Sequence, residues 1–196
     1  ELGEIYFGRA VYPRRRGIPL GTQSWFVNKK LSGGGALIDI GVHALDAVWW
    51  LMGTPKPVSV SGNAYQKFKH VVAKGTKFDV DDSAFGLIKF DNGATLILEC
   101  SWALNMPARN VLQIAGTKGG AELNPLKIYV ERDGIQVDMT PEVPGVDLFA
   151  DQMGHFVDCI LKNKTPLMSA EQGVQLMQML EAIYKSSASG REVRIK

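Results

Sequence analysis

Ser83-Ala84-Phe85-Gly86-Leu87-Ile88-Lys89-Phe90-Asp91-Asn92-Gly93-Ala94-Thr95-Leu96-Ile97-Leu98-Glu99-Cys100-Ser101-Trp102-Ala103-Leu104 is the stretch on which the fold turns. Asp91-Asn92-Gly93 is a strong hairpin turn, because glycine supplies the positive φ that such a turn requires. The flanking segments, Phe78 to Phe90 and Ala94 to Leu104, are rich in aromatic and branched side chains and read as strands. A turn this short demands antiparallel neighbours, since parallel pairs need long crossovers. In the second strand Ala94, Leu96, Leu98, Cys100, Trp102 and Leu104 share one face. The opposite face carries Thr95, Ile97, Glu99, Ser101 and Ala103, a mixed set rather than a plainly solvated one. Helices can cover one side of such a sheet, which leaves the other for a second subunit or domain.

Further strand signals lie on either side of the hairpin. Val58-Ser59-Val60-Ser61 alternates, and Arg109 to Ala115, Lys127 to Glu131 and Ile135 to Met139 follow, the last two joined through Arg132-Asp133-Gly134. Three helical patterns flank this block. The first runs from about Gly35 to Met52 and stops at Gly53, with Pro55 and Pro57 beyond. The second covers Asp147 to Asn163, with an apolar stripe of Phe149, Met153, Phe156, Val157 and Ile160. The third opens on a capping box, Ser169 with Gln172, buries Leu176, Met177, Leu180, Ile183 and Tyr184, and closes before Gly190. Segregated strands and helices make the class α+β, with an open, mainly antiparallel sheet and helices on one face. No internal repeat or linker divides residues 1–196.

Composition narrows the function. Apolar residues at 45% and charged residues at 21% exclude disorder, and a net charge of +2 gives little pull toward nucleic acid or an anionic membrane. Cys100 and Cys159 cannot form a disulfide framework, so a reduced, cytoplasmic compartment is expected. The long apolar run, Ala36 to Met52, holds Asp39, His43 and Asp46, which marks a buried helix rather than a membrane span. The chain opens on Glu1-Leu2-Gly3-Glu4-Ile5 without a basic start and an apolar run, and reads as part of something longer.

The chemistry-bearing segment is Ser32-Gly33-Gly34-Gly35-Ala36-Leu37-Ile38-Asp39-Ile40-Gly41-Val42-His43-Ala44-Leu45-Asp46. At ~100° per residue, with Asp39 at zero, His43 falls near about 40° and Asp46 near about −20°. Three ionisable groups on one stripe of an apolar helix must face a polar cavity or satisfy one another, because burying unpaired charge is costly. Two readings follow: a carboxylate that orients an imidazole acting as general base, or a self-satisfied structural pair. Gly41 on the opposite side allows close backbone packing at a cost of ~1 kcal/mol in helix propensity. Gly33, Gly34 and Gly35 are cofactor-proximal candidates, since they let a ligand approach the amides of a helix N-terminus. No strand with G-x-G-x-x-G precedes them, so they are not a dinucleotide-binding turn. His43 with Asp39 could begin a zinc site, but His70 and His155 read as solvated and no metal is expected. Arg14-Arg15-Arg16 could clamp an anion or be a solvated loop, and Trp25 with Phe26 could wall a ligand or simply pack. Arg14, Trp25 and Trp102 are the substrate-binding candidates.

With these residues in view, Ser32-Gly33-Gly34-Gly35 through Asp39, Gly41, His43, Asp46, Trp50-Leu51 and Gly53 resembles the signature of the Gfo/Idh/MocA oxidoreductases. Gly3-Glu4-Ile5, Asp81-Asp82-Ser83-Ala84, Phe90-Asp91-Asn92-Gly93-Ala94, Gly116-Thr117-Lys118-Gly119, Phe156-Val157-Asp158-Cys159-Ile160 and Ile183-Tyr184-Lys185-Ser186-Ser187 resemble the family's other landmarks. The resemblance implies a C-terminal substrate-binding and oligomerisation domain, of the dihydrodipicolinate reductase and glyceraldehyde-3-phosphate dehydrogenase kind. The N-terminal Rossmann domain is absent, and with it a catalytic lysine in a Glu-Lys-Pro motif. The implied reaction moves a hydride between NAD or NADP and a hydroxyl-bearing carbon of a sugar or polyol. Carried over, His43 takes the hydroxyl proton, Asp39 holds the imidazole and Asp46 supports them. The implied assembly is a homo-oligomer, dimer or tetramer, through the sheet. The chain alone is expected to be inactive. The alternative from another class is a non-catalytic ligand-binding or assembly module with the same fold.

Overall fold

The computed structural model describes residues 2–195, apart from the side chains of residues 21–23. In chain order its elements are β1 (Ile5–Pro13), the short α1 (Lys29–Ser32), a single wide turn at Leu37–Gly41 that runs into α2 (Val42–Leu51), and β2 (Pro57–Tyr65). The hairpin β3 (Ser83–Phe90) and β4 (Thr95–Ser101) follows, then β5 (Val111–Gly116), β6 (Gly119–Leu123), β7 (Lys127–Arg132) and β8 (Ile135–Met139). Helices α3 (Leu148–Leu161) and α4 (Ala170–Ser189) and the short β9 (Val193–Arg194) close the chain.

The Asp91-Asn92-Gly93 turn closes β3 on β4 as expected, with Gly93 at φ 84° and Ala84 opposite Cys100. The nine strands among the described residues join one sheet in the order β8-β7-β6-β5-β1-β4-β3-β2-β9. The pairing is antiparallel throughout except where β1 lies parallel to β4, from Phe7 opposite Thr95 to Pro13 opposite Ser101. That seat was not expected. The chain between β1 and β4 carries α2 across the sheet, and such a crossover lets two strands run in the same direction. Strands β6 and β9 also escaped the sequence reading, the first because Gly119-Gly120 carries no strand propensity, the second because it has two residues. Strand β3 is shorter than the Phe78 to Phe90 run. Phe78 and Val80 are buried in the approach to it rather than paired in it.

Helices α2 and α4 cover one face. Leu45, Val48 and Trp49 of α2 and Met179, Leu180 and Ile183 of α4 are buried in one core with Ala84, Ile88, Leu96, Leu98 and Cys100 of the sheet. Ser169 and Gln172 form the expected capping box, and Gly190 ends α4 in the left-handed region. The buried stripe is rotated from the expected one, since Met177 is exposed and Met179, Ala182 and Ser186 are buried. Helix α3 departs further. Asp147 caps it by accepting from the Phe149 and Ala150 amides, but only Cys159 along it is buried. It does not lie on the sheet. The stretch Lys29–Leu51 is long and apolar enough by composition to cross a membrane. Here Gly33, at φ 81°, breaks it, and half of its most apolar window is buried inside the fold.

Candidate active site

The start of the apolar helix is built around Asp81, in the approach to β3. Its Oδ1 accepts from the Gly35 amide at 2.8 Å and from the Tyr184 hydroxyl at 2.7 Å, and its Oδ2 accepts from the Leu37 amide at 2.9 Å. The Ala36 amide donates to the Asp81 carbonyl at 3.0 Å. Orphan amides at a helix start are thus satisfied by one carboxylate, whose charge also suits the positive end of the dipole. Glycine is obligatory here, because a Cβ on Gly35 would stand 1.9 Å from the Asp81 carbonyl oxygen and one on Gly34 2.4 Å from the Tyr184 hydroxyl. The amides expected to stand open to a ligand are therefore taken, and of the three glycines only Gly33 has open space beside it. Burial, with the charge of Asp81, pushes the Tyr184 phenol well above its ordinary range and keeps it a donor.

The turn at Leu37–Gly41 is wider than an α-turn, with the Val42 amide donating to the Leu37 carbonyl five residues back. Asp39 sits in it. Its Oδ2 accepts from the Trp102 indole Nε1 at 2.7 Å, and its Oδ1 makes no hydrogen bond among the described residues. Trp102 is fully buried, and its backbone amide donates to the Asp82 carbonyl at 2.8 Å. A buried indole cannot meet a substrate, which corrects the expectation for Trp102: it anchors Asp39. Opposite, a Cβ on Gly41 would lie 2.7 Å from the Cys100 sulfur, so the turn packs directly on β4, the close approach expected of that glycine.

One turn on, His43 is exposed on a helix whose Ala44, Leu45, Val48 and Trp49 are buried. No hydrogen bond joins it to Asp39. Asp46 is the carboxylate that feels it: partial burial raises the Asp46 pKa, and the charge of His43 pulls it back. Asp46 Oδ1 is enclosed and has no hydrogen-bond partner among the described residues. Asp46 also lines a groove of about 340 Å³ with Trp50, Leu123, Leu167 and Met168, while Asp39 and His43 do not line it. Asp39 and His43 thus do not line the groove that Asp46 lines, and no hydrogen bond among the described residues joins the three. The His43 imidazole faces solvent, and an imidazole is the side chain most readily able to take up or release a proton near neutral pH.

The remaining candidates are looser. Arg14 follows β1, its amide donating to the Ser101 carbonyl at 2.7 Å and its guanidinium lying 5.5 Å from the Tyr12 ring centre. Arg16 is tied down over Phe68 and to Asn105. Trp25 is half exposed and stacks on Phe26 with ring centres 3.8 Å apart. His155, expected to be solvated, is half-buried and accepts from the Leu167 amide at 3.1 Å, holding the loop after α3. Asp81 and Tyr184 were missed as structural partners of the site. The adjacent acidic pair Asp81-Asp82 before a buried strand was the available signal, since two buried carboxylates need donors.

The architecture is an α+β domain with an open, mainly antiparallel sheet. The family described as the GFO/IDH/MocA C-terminal domain matches over residues 1–122, and the chain belongs to that family. It is 35% identical to D-glucoside 3-dehydrogenase of Escherichia coli (strain K12) over 206 residues, covering 99% of this chain and 58% of that protein. Two solved structures superpose over the chain. Aldose-aldose oxidoreductase from Caulobacter crescentus, complexed with glycerol, gives a TM-score of 0.79 at 25% identity, covering 99% of this chain and 56% of that one. GenD2 from gentamicin A biosynthesis, in complex with NAD, gives 0.73 at 27% identity, covering 100% and 56%. The chain therefore spans somewhat over half the length of these relatives.

Proposed function

We propose that this chain is the substrate-binding and catalytic C-terminal domain of an oxidoreductase that moves a hydride between NAD or NADP and a hydroxyl-bearing carbon of a sugar, polyol or sugar derivative. The observation that carries the reading is His43, held in the open on a buried helix between Asp39 and Asp46 in a chain of this family. His43 Nε2 or Nδ1 takes the hydroxyl proton as the carbon loses its hydride, and returns it in the reverse direction. Asp39, fixed through Oδ2 by Trp102, offers Oδ1 to the imidazole or to the substrate hydroxyl. Asp46 stabilises the charge that His43 acquires.

In this reading the cofactor's pyrophosphate is not seated on this chain. The one glycine-rich helix start is filled by Asp81. NAD or NADP would then be held by an N-terminal Rossmann domain outside this chain. The second face of the sheet is read as the surface through which copies assemble, with neither nucleic acid nor membrane as partner, in the cytoplasm.

The test uses the full-length protein and this chain side by side. His43→Ala in the full-length enzyme should lower kcat by about 10²–10⁴-fold, the usual contribution of general-base catalysis, with cofactor affinity nearly intact. Asp39→Asn should slow it too. Calorimetric titration of the 196-residue chain with NAD and NADP should give no binding. An unchanged kcat in His43→Ala, or micromolar cofactor binding by the chain alone, overturns the assignment.

A further inference from the structure

One end of the sheet gathers positive charge and leaves it unmatched. By register, the chain leaves β1 after Pro13, β2 after Tyr65 and β4 after Ser101, and enters β5 at Val111, all at that end. The segments that connect there, 14–30, 66–78 and 102–110, hold no Asp or Glu, although the whole chain carries 20 acidic residues against 22 basic ones. Their cations include Arg14, Arg15, Arg16, Lys67, Lys69 and Arg109, none of which forms an ion pair among the described residues. The carboxylates that follow 66–78 do not offset them. Asp79 pairs with Lys77 at 3.1 Å, Asp81 is taken by the start of the apolar helix, and the buried Asp82 accepts from the Lys67 and Phe68 amides at 2.6 Å. A surface of one sign concentrates ligands of the other.

Arg14 stands where that charge meets the site. Gly8, Ala10 and Tyr12 alternate onto the side of the sheet that α2 covers: a Cβ on Gly8 would lie 2.7 Å from Val48, and Tyr12 packs against the core. Arg14 keeps to that side, its guanidinium 5.5 Å from the Tyr12 ring centre. Tyr12 is opposite Cys100, whose sulfur meets Gly41, midway between Asp39 and His43. The Arg14 amide is held by Ser101, the neighbour of the Trp102 that fixes Asp39. Arg16 is committed to Phe68 and Asn105, whereas the half-buried Arg14 guanidinium donates no hydrogen bond among the described residues. Its planar fork matches two oxygens of one carboxylate or phosphate.

We propose that the substrate is an anionic sugar derivative, bearing a carboxylate or a phosphate, and that Arg14 binds that group beside Asp39 and His43. The proposal rests on reading the chain as part of a sugar oxidoreductase. Its test is calorimetry on the full-length protein with reduced cofactor bound, so that no turnover intervenes. The probes are glucuronate and glucose 6-phosphate, compared with glucose, myo-inositol and inorganic phosphate. One of the two anionic sugars should bind at least about tenfold more tightly than the neutral sugars and than inorganic phosphate, and which of them does so separates carboxylate from phosphate. Arg14→Ala should weaken that binding by about 10–100-fold, the usual worth of hydrogen bonds to a charged group, and Arg14→Lys by less. Neutral sugars bound as tightly as the anionic ones, or no anionic sugar bound, overturns the proposal. So does inorganic phosphate bound as tightly as glucose 6-phosphate, which would mark a general anion site. A loss in Arg14→Ala confined to the cofactor also overturns it, by assigning the arginine to the cofactor's phosphates. Arg14-dependent binding of an anionic sugar together with an unchanged kcat in His43→Ala would leave this proposal standing and remove the catalytic one.

Discussion

At the scale of single residues, the site depends on hydrogen bonds that reach it from below. Trp102 has no other described partner for its indole than Asp39, and the pair is sheltered from water on the tryptophan side. Removing one member of such a pair strands the other, at a cost of about 1–3 kcal/mol. Trp102→Phe keeps most of the packing and removes the donor. In the full-length enzyme it should lower kcat by about 10-fold or more while the KM for the cofactor stays within twofold; an unaltered kcat would show that Asp39 needs no anchor. Asp46 answers to pH. Burial raises its pKa in the folded protein, so its contribution to stability is full below the ordinary carboxylate pKa and is lost as pH rises through the folded value. Above that folded value the chain carries an ionised, half-desolvated carboxylate, one enclosed oxygen of which has no hydrogen-bond partner among the described residues. Asp46→Asn should raise the melting temperature at pH 7, and the gain should vanish toward pH of about 4. A gain that persists unchanged in acid would trace the effect to something other than this charge.

At the scale of elements, the helix that carries the site is held against the sheet by the absence of side chains. Gly41 brings the wide turn onto Cys100, a thiol that burial keeps well above its ordinary pKa and hence inert. An added methyl there gains ~1 kcal/mol of helix propensity but overpacks a filled contact, which typically costs about 1–3 kcal/mol. Gly41→Ala should therefore lower stability on balance in denaturant titrations. Adding Cys100→Ala should make the double variant less destabilised than the sum of the two single changes. Strict additivity would separate Gly41 from β4. The helix itself was legible in the sequence, because apolar residues at helical spacing and the stop at Gly53 are local signals. Its first turn was not, since the wide turn at Leu37–Gly41 departs from 100° per residue. Asp39, in that turn, rests on Trp102 and does not line the groove that Asp46 lines.

At the scale of the whole molecule, the sheet shows two different faces. Away from the helices, Leu87, Ile97 and Arg9 sit side by side across β3, β4 and β1, with Phe85, Glu99 and Val11 in the next row. Ile97 is only partly covered, and Arg9 pairs with Glu99 at 3.0 Å. A mixed surface of this kind, open in one chain, suits a subunit interface. On the proposed assembly through this face, Ile97→Arg in the full-length protein should give a smaller mass than the unaltered protein in light scattering at tens of micromolar, with β-structure retained by circular dichroism. No change in mass would exclude this face.

The sequence alone determined the α+β class, the central hairpin, the capping box of α4, and the placing of Asp39, His43 and Asp46 on one helical run. Each of these rests on turn chemistry, alternation or helical spacing within a few residues. Tertiary structure alone decided the parallel seat of β1, the Asp81 clamp on Gly35 across 46 residues, and the Trp102 bond to Asp39 across 63. It alone left α3 uncovered. The stripe of Phe149, Met153, Phe156, Val157 and Ile160 is the same whether a helix packs on its own sheet or on another body. Local patterning determines which face a helix must bury, whereas only the relative placement of distant elements determines what buries it.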